Sequence, residues 1–158
     1  MRKSIRSPML AGVLVFVFAG TALATAASNF QGTITSRATL SHSIRANTHE
    51  VKLKTKGPVD FVTATVNIAA GGSSGWHSHP GIVLVSVVSG SLVFYDNHCR
   101  ATVYAAGSAF VESGHHAGLV RNESTTTPAV VYATYLVPAG TPNASLRIDL
   151  PNPGCPQS

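Results

Sequence analysis

Gly71-Gly-Ser-Ser-Gly-Trp-His-Ser-His-Pro-Gly-Ile-Val-Leu-Val-Ser-Val-Val-Ser-Gly90 runs from a glycine-rich turn through a histidine pair into an apolar run. On a strand, side chains two apart project from the same face, so His77 and His79 can aim at one spot. Two neutral imidazoles converging on a point suit a divalent transition metal. The glycines ahead of them allow positive φ and a sharp turn into the strand.

Outward from this stretch the chain reads as strands. Upstream, Val62, Ala64, Val66 and Ile68 alternate with Thr63, Thr65 and Asn67, the pattern of a half-buried strand. Downstream, Ile82 to Val88 is a continuous β-branched and apolar run, which predicts a strand covered on both sides. Ser89-Gly90 predicts a tight hairpin returning through Ser91 to Tyr95. Short strands follow at Ala101 to Tyr104, Ser108 to Val111 and Leu119 to Arg121, and a strong one at Val130 to Val137. Seven or more short strands with regular turn signals, and no segment of 3.6-residue period, predict an all-β barrel or sandwich in one domain.

The spacing around the histidine pair resembles the first cupin motif, G-x5-H-x-H-x3-E-x6-G. Gly71, His77, His79 and Gly90 match it, while Val83 stands in the glutamate's place and no acid lies between His79 and Asp96. The second motif, G-x5-P-x-G-x2-H-x3-N, is matched at Gly107 and Asn122. Ser113, His115 and Gly118 occupy its proline, glycine and histidine slots. The resemblance covers roughly residues 50 to 156, and small exported bacterial cupins are similar in the same stretches. It implies a cupin-type double-stranded β-helix, a small jelly-roll barrel with any metal inside. His116 lies two residues before the empty histidine slot and faces the same way on an extended chain. The expected metal set is therefore His77, His79 and His116, holding Zn, Fe, Cu or Mn. Glu112, the one acid near the second motif, reads as an exposed glutamate, with a remote ligand or general base as the other readings.

The N-terminus carries Arg2, Lys3 and Arg6, an apolar stretch from Met9 to Ala19, and small-residue sites at Ala22-Leu-Ala24 and Ala24-Thr-Ala26. This is the pattern of a secretory signal peptide, expected over residues 1–27, and its apolar run is short for a membrane span. Losing it would reduce the formal charge from +5 to +2, so the basic balance is no argument for nucleic-acid binding. Residues 28–49 read as an arm or loose edge strand, with His42 and His49 on its surface, and residues 50–156 as the barrel. Lys52, Lys54 and Lys56 alternate like one solvated face of an edge strand. Cys99 and Cys155, an even pair in an exported chain, read as one disulfide.

These readings predict a secreted protein that binds a metal and a small molecule, with no stable membrane association after cleavage. If it is an enzyme, the resemblance implies oxygenase, isomerase or lyase chemistry, and it also implies a homodimer paired through sheets. The alternative is a metal-free ligand-binding or structural module, since both Val83 and Gly118 replace ligands. No G-x-S-x-G elbow supports hydrolase chemistry.

Overall fold

Alternation of apolar and polar residues governs the architecture from Ser28 onward. The computed structural model describes residues 23–156, so most of the signal segment read over residues 1–27 lies outside the described residues. In chain order the strands are β1 Ser28–Leu40, β2 Arg45–Asn47, β3 Lys52–Lys54, β4 Val59–Ser73, β5 His77–Ser78 and β6 Ile82–Ser89. They continue as β7 Ser91–Asp96, β8 Ala101–Ala105, β9 Ala109–Glu112, β10 Gly118–Arg121, β11 Ala129–Pro138 and β12 Ile148–Asp149, with a 3-10 turn at Asn143–Ser145. The all-β expectation holds.

Ten strands form one antiparallel sheet that curls into a nearly closed barrel. One half runs β1-β4-β11-β6-β9 and the other β12-β5-β10, with β7 and then β8 on the far edge of β10. The halves join where Arg121 pairs with Ser73. Strands β2 and β3 form a separate ribbon on which Lys52 and Lys54 are exposed, as read from their alternation.

The core fills the space between the halves. Val66 and Ile68 from β4, Val83, Val85 and Val87 from β6, and Val131 and Ala133 from β11 meet Leu92, Phe110 and Val120. Fully burying a side chain such as Val, Leu or Phe stabilises the fold by about 1.5–3 kcal/mol, so this cluster is the main force closing the barrel.

Two expectations are corrected. The run in β6 is covered on one side only: Val83, Val85 and Val87 are buried, but Ile82, Leu84 and Val88 are exposed. Nor is Ser89-Gly90 a hairpin. Strand β6 pairs with β11 and β9, and β7 pairs with β8 and β10, so the turn passes the chain from one half of the barrel to the other. Gly90 makes that corner at φ 75°, where any Cβ would sit 2.6 Å from the Pro128 carbonyl oxygen. The arm is an ordered edge strand from its start, pairing with β4 from Ser28–Ser73 to Leu40–Val59.

The disulfide between Cys99 and Cys155 is formed, with its Cα atoms 5.4 Å apart. It ties the β7–β8 turn to the C-terminal tail, where Cys155 packs against Trp76 and Leu119.

Candidate metal centre

The histidine pair sits in the short strand β5 and just beyond it, at the end of the barrel. Gly75 turns the chain into it at φ 66°, with its backbone so close to Thr25 that a Cβ would lie 2.5 Å from the Thr25 carbonyl oxygen. His77 and His79 are both buried, their ring centroids 4.8 Å apart and nearly perpendicular.

Each ring is held by one nitrogen. His77 Nδ1 lies 2.9 Å from the Gly75 carbonyl oxygen, and His79 Nδ1 lies 2.6 Å from that of Leu146. A carbonyl only accepts, so both Nδ1 atoms carry hydrogen. The Nε2 atoms are thereby turned toward the site, which is how a metal-ligating histidine is oriented.

They face Glu112. His79 Nε2 is 2.9 Å from Glu112 Oε2, and His77 Nε2 is 3.8 Å from Oε1. Glu112 is not the exposed residue expected from the sequence. Its side chain is 11% exposed, and Oε1 is buried without a hydrogen-bond partner. The reason lies in the register. Glu112 on β9 pairs with Val83 on β6, and residues directly opposite on antiparallel strands share a face. Val83 points into the core, so Glu112 does too. The carboxylate missing from position 83 is supplied across one strand.

Electrostatics favour an ionised Glu112 carboxylate beside a neutral His77 ring. Burial raises the Glu112 pKa, but the hydrogen bond from His79, the interactions with His77 and His79 and the positive charge of Arg147 outweigh it and hold the group below its ordinary value. Burial lowers His77 to about 4, with Glu112 opposing and Arg147 and His79 adding to the shift, so its ring is neutral at neutral pH. Burial, then the Glu112 charge, pushes Tyr135 up to about 12, so its hydroxyl stays protonated. The Tyr135 ring packs edge-on against His79 at 5.4 Å.

The donors fit a cation. One nitrogen from each histidine and one carboxylate oxygen all lie within 4.8 Å of one another. Metal–ligand bonds of about 2.0–2.2 Å hold neighbouring ligand atoms roughly 3–3.5 Å apart, and the observed 2.9 and 3.8 Å bracket that range. Without a cation, both nitrogens of His79 face acceptors and Glu112 Oε1 has no donor. A divalent ion between the Nε2 atoms and the carboxylate resolves both. The three clustered donors are two imidazoles and a carboxylate, a donor set used for zinc and for non-haem iron.

His116 is not one of these three clustered donors. It is exposed on the wall of the mouth, a cavity of about 260 Å³ that also reaches His77, His79 and Glu112. His115 is exposed too and lines a separate groove with Leu53 and Lys54. Gly118 pairs with His77, so a side chain there would point at the site, but its Cβ would stand 2.8 Å from the Phe94 ring. Phe94 fills the room of the absent ligand. Asn122, the last position of the second motif, is structural: its amide donates to the carbonyls of Ile68, Ala69 and Thr127, and its Oδ1 accepts from Ser124.

No protein-family model matches the chain, and neither does any curated protein. Solved structures similar to it include an oxalate oxidase in complex with the substrate analogue glycolate, 22% identical over 47% of this chain and 40% of that one, with a TM-score of 0.43. The chain therefore spans less than half the length of that protein. Another is an uncharacterized conserved protein with a double-stranded β-helix domain from Klebsiella pneumoniae, 19% identical over 64% and 76% of the two chains, with a TM-score of 0.46. A third is an RmlC-like cupin from Shewanella frigidimarina, 15% identical over 51% and 68%, with a TM-score of 0.45.

Proposed function

We propose that this chain is a secreted, cupin-like metal-binding protein whose ion is held by His77 Nε2, His79 Nε2 and the Glu112 carboxylate. One observation carries the reading: three buried donors converge from β5, its C-terminal extension and β9, and one of their oxygens has no other partner. Bound there, a divalent transition metal would act as a Lewis acid or redox centre toward a small molecule entering through the mouth. The chain's own residues do the rest. Gly75 and Leu146 fix the ring orientations, the barrel core excludes bulk water, and Tyr135 presents a protonated hydroxyl at the inner wall.

Export is supported by the basic, apolar and small-residue order of the N-terminus and by the disulfide. No helix among the described residues is long and apolar enough to cross a membrane.

Elemental analysis of the chain beginning at Thr25, after incubation with zinc, iron(II), copper(II) or manganese(II), tests the assignment. About one ion per chain is expected in the wild type and in His116→Ala, with loss in His77→Ala and Glu112→Gln. Equal loss in His116→Ala with retention in Glu112→Gln would return the third ligand to His116. No ion in any of them would sink the metal reading and leave a metal-free ligand-binding module.

A further inference from the structure

The β2–β3 ribbon takes no part in the metal centre, and its own pairing is electrostatically unbalanced. Arg45 pairs directly with Lys54, and residues opposite one another on antiparallel strands share a face. Like charges so placed repel and weaken the pair. Lys52 lies two residues before Lys54 and Lys56 two residues beyond it, and all four cations are exposed. Among the described residues, the ion pairs include none of them. Guarding a strand against unwanted pairing takes charge along its edge, but not like charges set against each other across the ribbon.

Where the ribbon meets the barrel lies a groove of about 390 Å³. Small-molecule sites run from roughly 300 to 1,000 Å³ and are mostly apolar, with a few polar groups that fix orientation. The apolar walls here are Leu53 of the ribbon, Val59 at the start of β4, Ile82 of β6 and Leu136 of β11. Leu53, Val59 and Leu136 are half-buried, and Ile82 is exposed. Lys54, Lys56 and His115 complete the lining from exposed positions, and no acidic residue contributes to it. An apolar trough beside two uncompensated ammonium groups is complementary to a molecule that is apolar along its body and anionic at one end.

We infer that this groove binds a free amphipathic acid, a small molecule with a hydrocarbon or aromatic body and one carboxylate. The body packs on Leu53, Val59 and Leu136, and the carboxylate meets Lys54 and Lys56. Most of the apolar wall is half-buried between ribbon and barrel, where a single molecule fits and a flat lipid surface does not reach. The donor triad does not line the groove, so the inference stands apart from the metal reading.

Octanoate is the probe, titrated into metal-free and zinc-loaded protein at low salt and followed by calorimetry and amide chemical shifts. About one octanoate per chain is expected in both forms, with the largest shifts at Leu53, Val59, Ile82 and His115. Lys54→Gln/Lys56→Gln changes two exposed positions and should weaken binding roughly tenfold. Added salt should weaken octanoate binding to the wild type and have little effect on that variant. 1-Octanol keeps the body without the charge and should bind about tenfold more weakly than octanoate. Shifts confined to the mouth, octanoate binding unchanged in the lysine variant, or 1-octanol binding as tightly as octanoate overturns the inference. So does co-sedimentation with phosphatidylglycerol vesicles without octanoate binding, which would assign the ribbon to a membrane surface. Octanoate in the groove of a protein that takes up no zinc supports the groove and sinks the metal reading, so the two failures are distinct.

Discussion

Glu112 shows how one residue's role depends on a neighbour's register. Its nearest acidic competitors are absent from β6, where the motif would place a carboxylate at position 83. Because Val83 and Glu112 are paired and share a face, exchanging them should preserve the donor set. The double variant Val83→Glu/Glu112→Val is expected to bind zinc within about tenfold of the wild type, whereas Glu112→Val alone should lose roughly a hundredfold or more. Calorimetric titration of both variants decides it, and failure of the exchange with a folded protein would show that the two positions are not equivalent. The sequence held a signal for this. Phe110 reads as a core aromatic, and the two-residue period of a strand puts Glu112 on the same face as Phe110. His77 and His79 were legible because their spacing is local, while Glu112 becomes a neighbour only through the pairing of β6 with β9.

At the scale of elements, β1 is an edge strand fixed by a polar clamp. Asp60 on β4 is buried and accepts from Arg37 Nη1 at 2.5 Å, Thr39 Oγ1 at 2.7 Å and the Gly140 backbone N–H at 3.0 Å. The Thr39 hydroxyl, with Gly140 and Arg37 and against the opposing effect of burial, holds its carboxyl below the usual 3.8. A carboxylate with a depressed folded pKa stabilises the fold above its unfolded value and loses that contribution as pH falls through the folded one. Asp60→Asn should therefore lower the melting temperature by several degrees at pH 7 and flatten the acid limb below about pH 4, read by thermal melts across pH. An unchanged acid limb would remove Asp60 from the set of groups that make the fold acid-sensitive. The alternation of β4 was readable from sequence, and so were the strands around it. The β6–β7 corner was not, because Ser-Gly serves a hairpin and a crossover equally well, and only the partners chosen by the flanking strands tell them apart.

Across the whole fold, the first and last described segments meet. The Thr25 backbone N–H donates to the Leu150 carbonyl at 2.9 Å, and its hydroxyl accepts from the Trp76 N–H at 2.6 Å. A chain starting at Ser28 should accordingly melt several degrees below one starting at Thr25, as measured by calorimetry. The disulfide spans 56 residues, and constraining a loop of that length is worth about 4 kcal/mol in the chain-entropy model. Urea unfolding of Cys99→Ser/Cys155→Ser should show a loss of that order, with a loss near zero pointing to compensating order in the reduced unfolded chain. With two cysteines in the sequence this pair was countable in advance, whereas the role of residue 25 depends on which strands its neighbours join.

The Leu146 carbonyl that holds His79 lies 67 residues downstream of it. The ring is thus not locked until the segment around Leu146 has been made and has docked. Under the export proposed above, that moment comes on the far side of the membrane. The ion that fills the site would then be chosen by whatever metals the external medium supplies, rather than by the buffered metal pools of the cytoplasm.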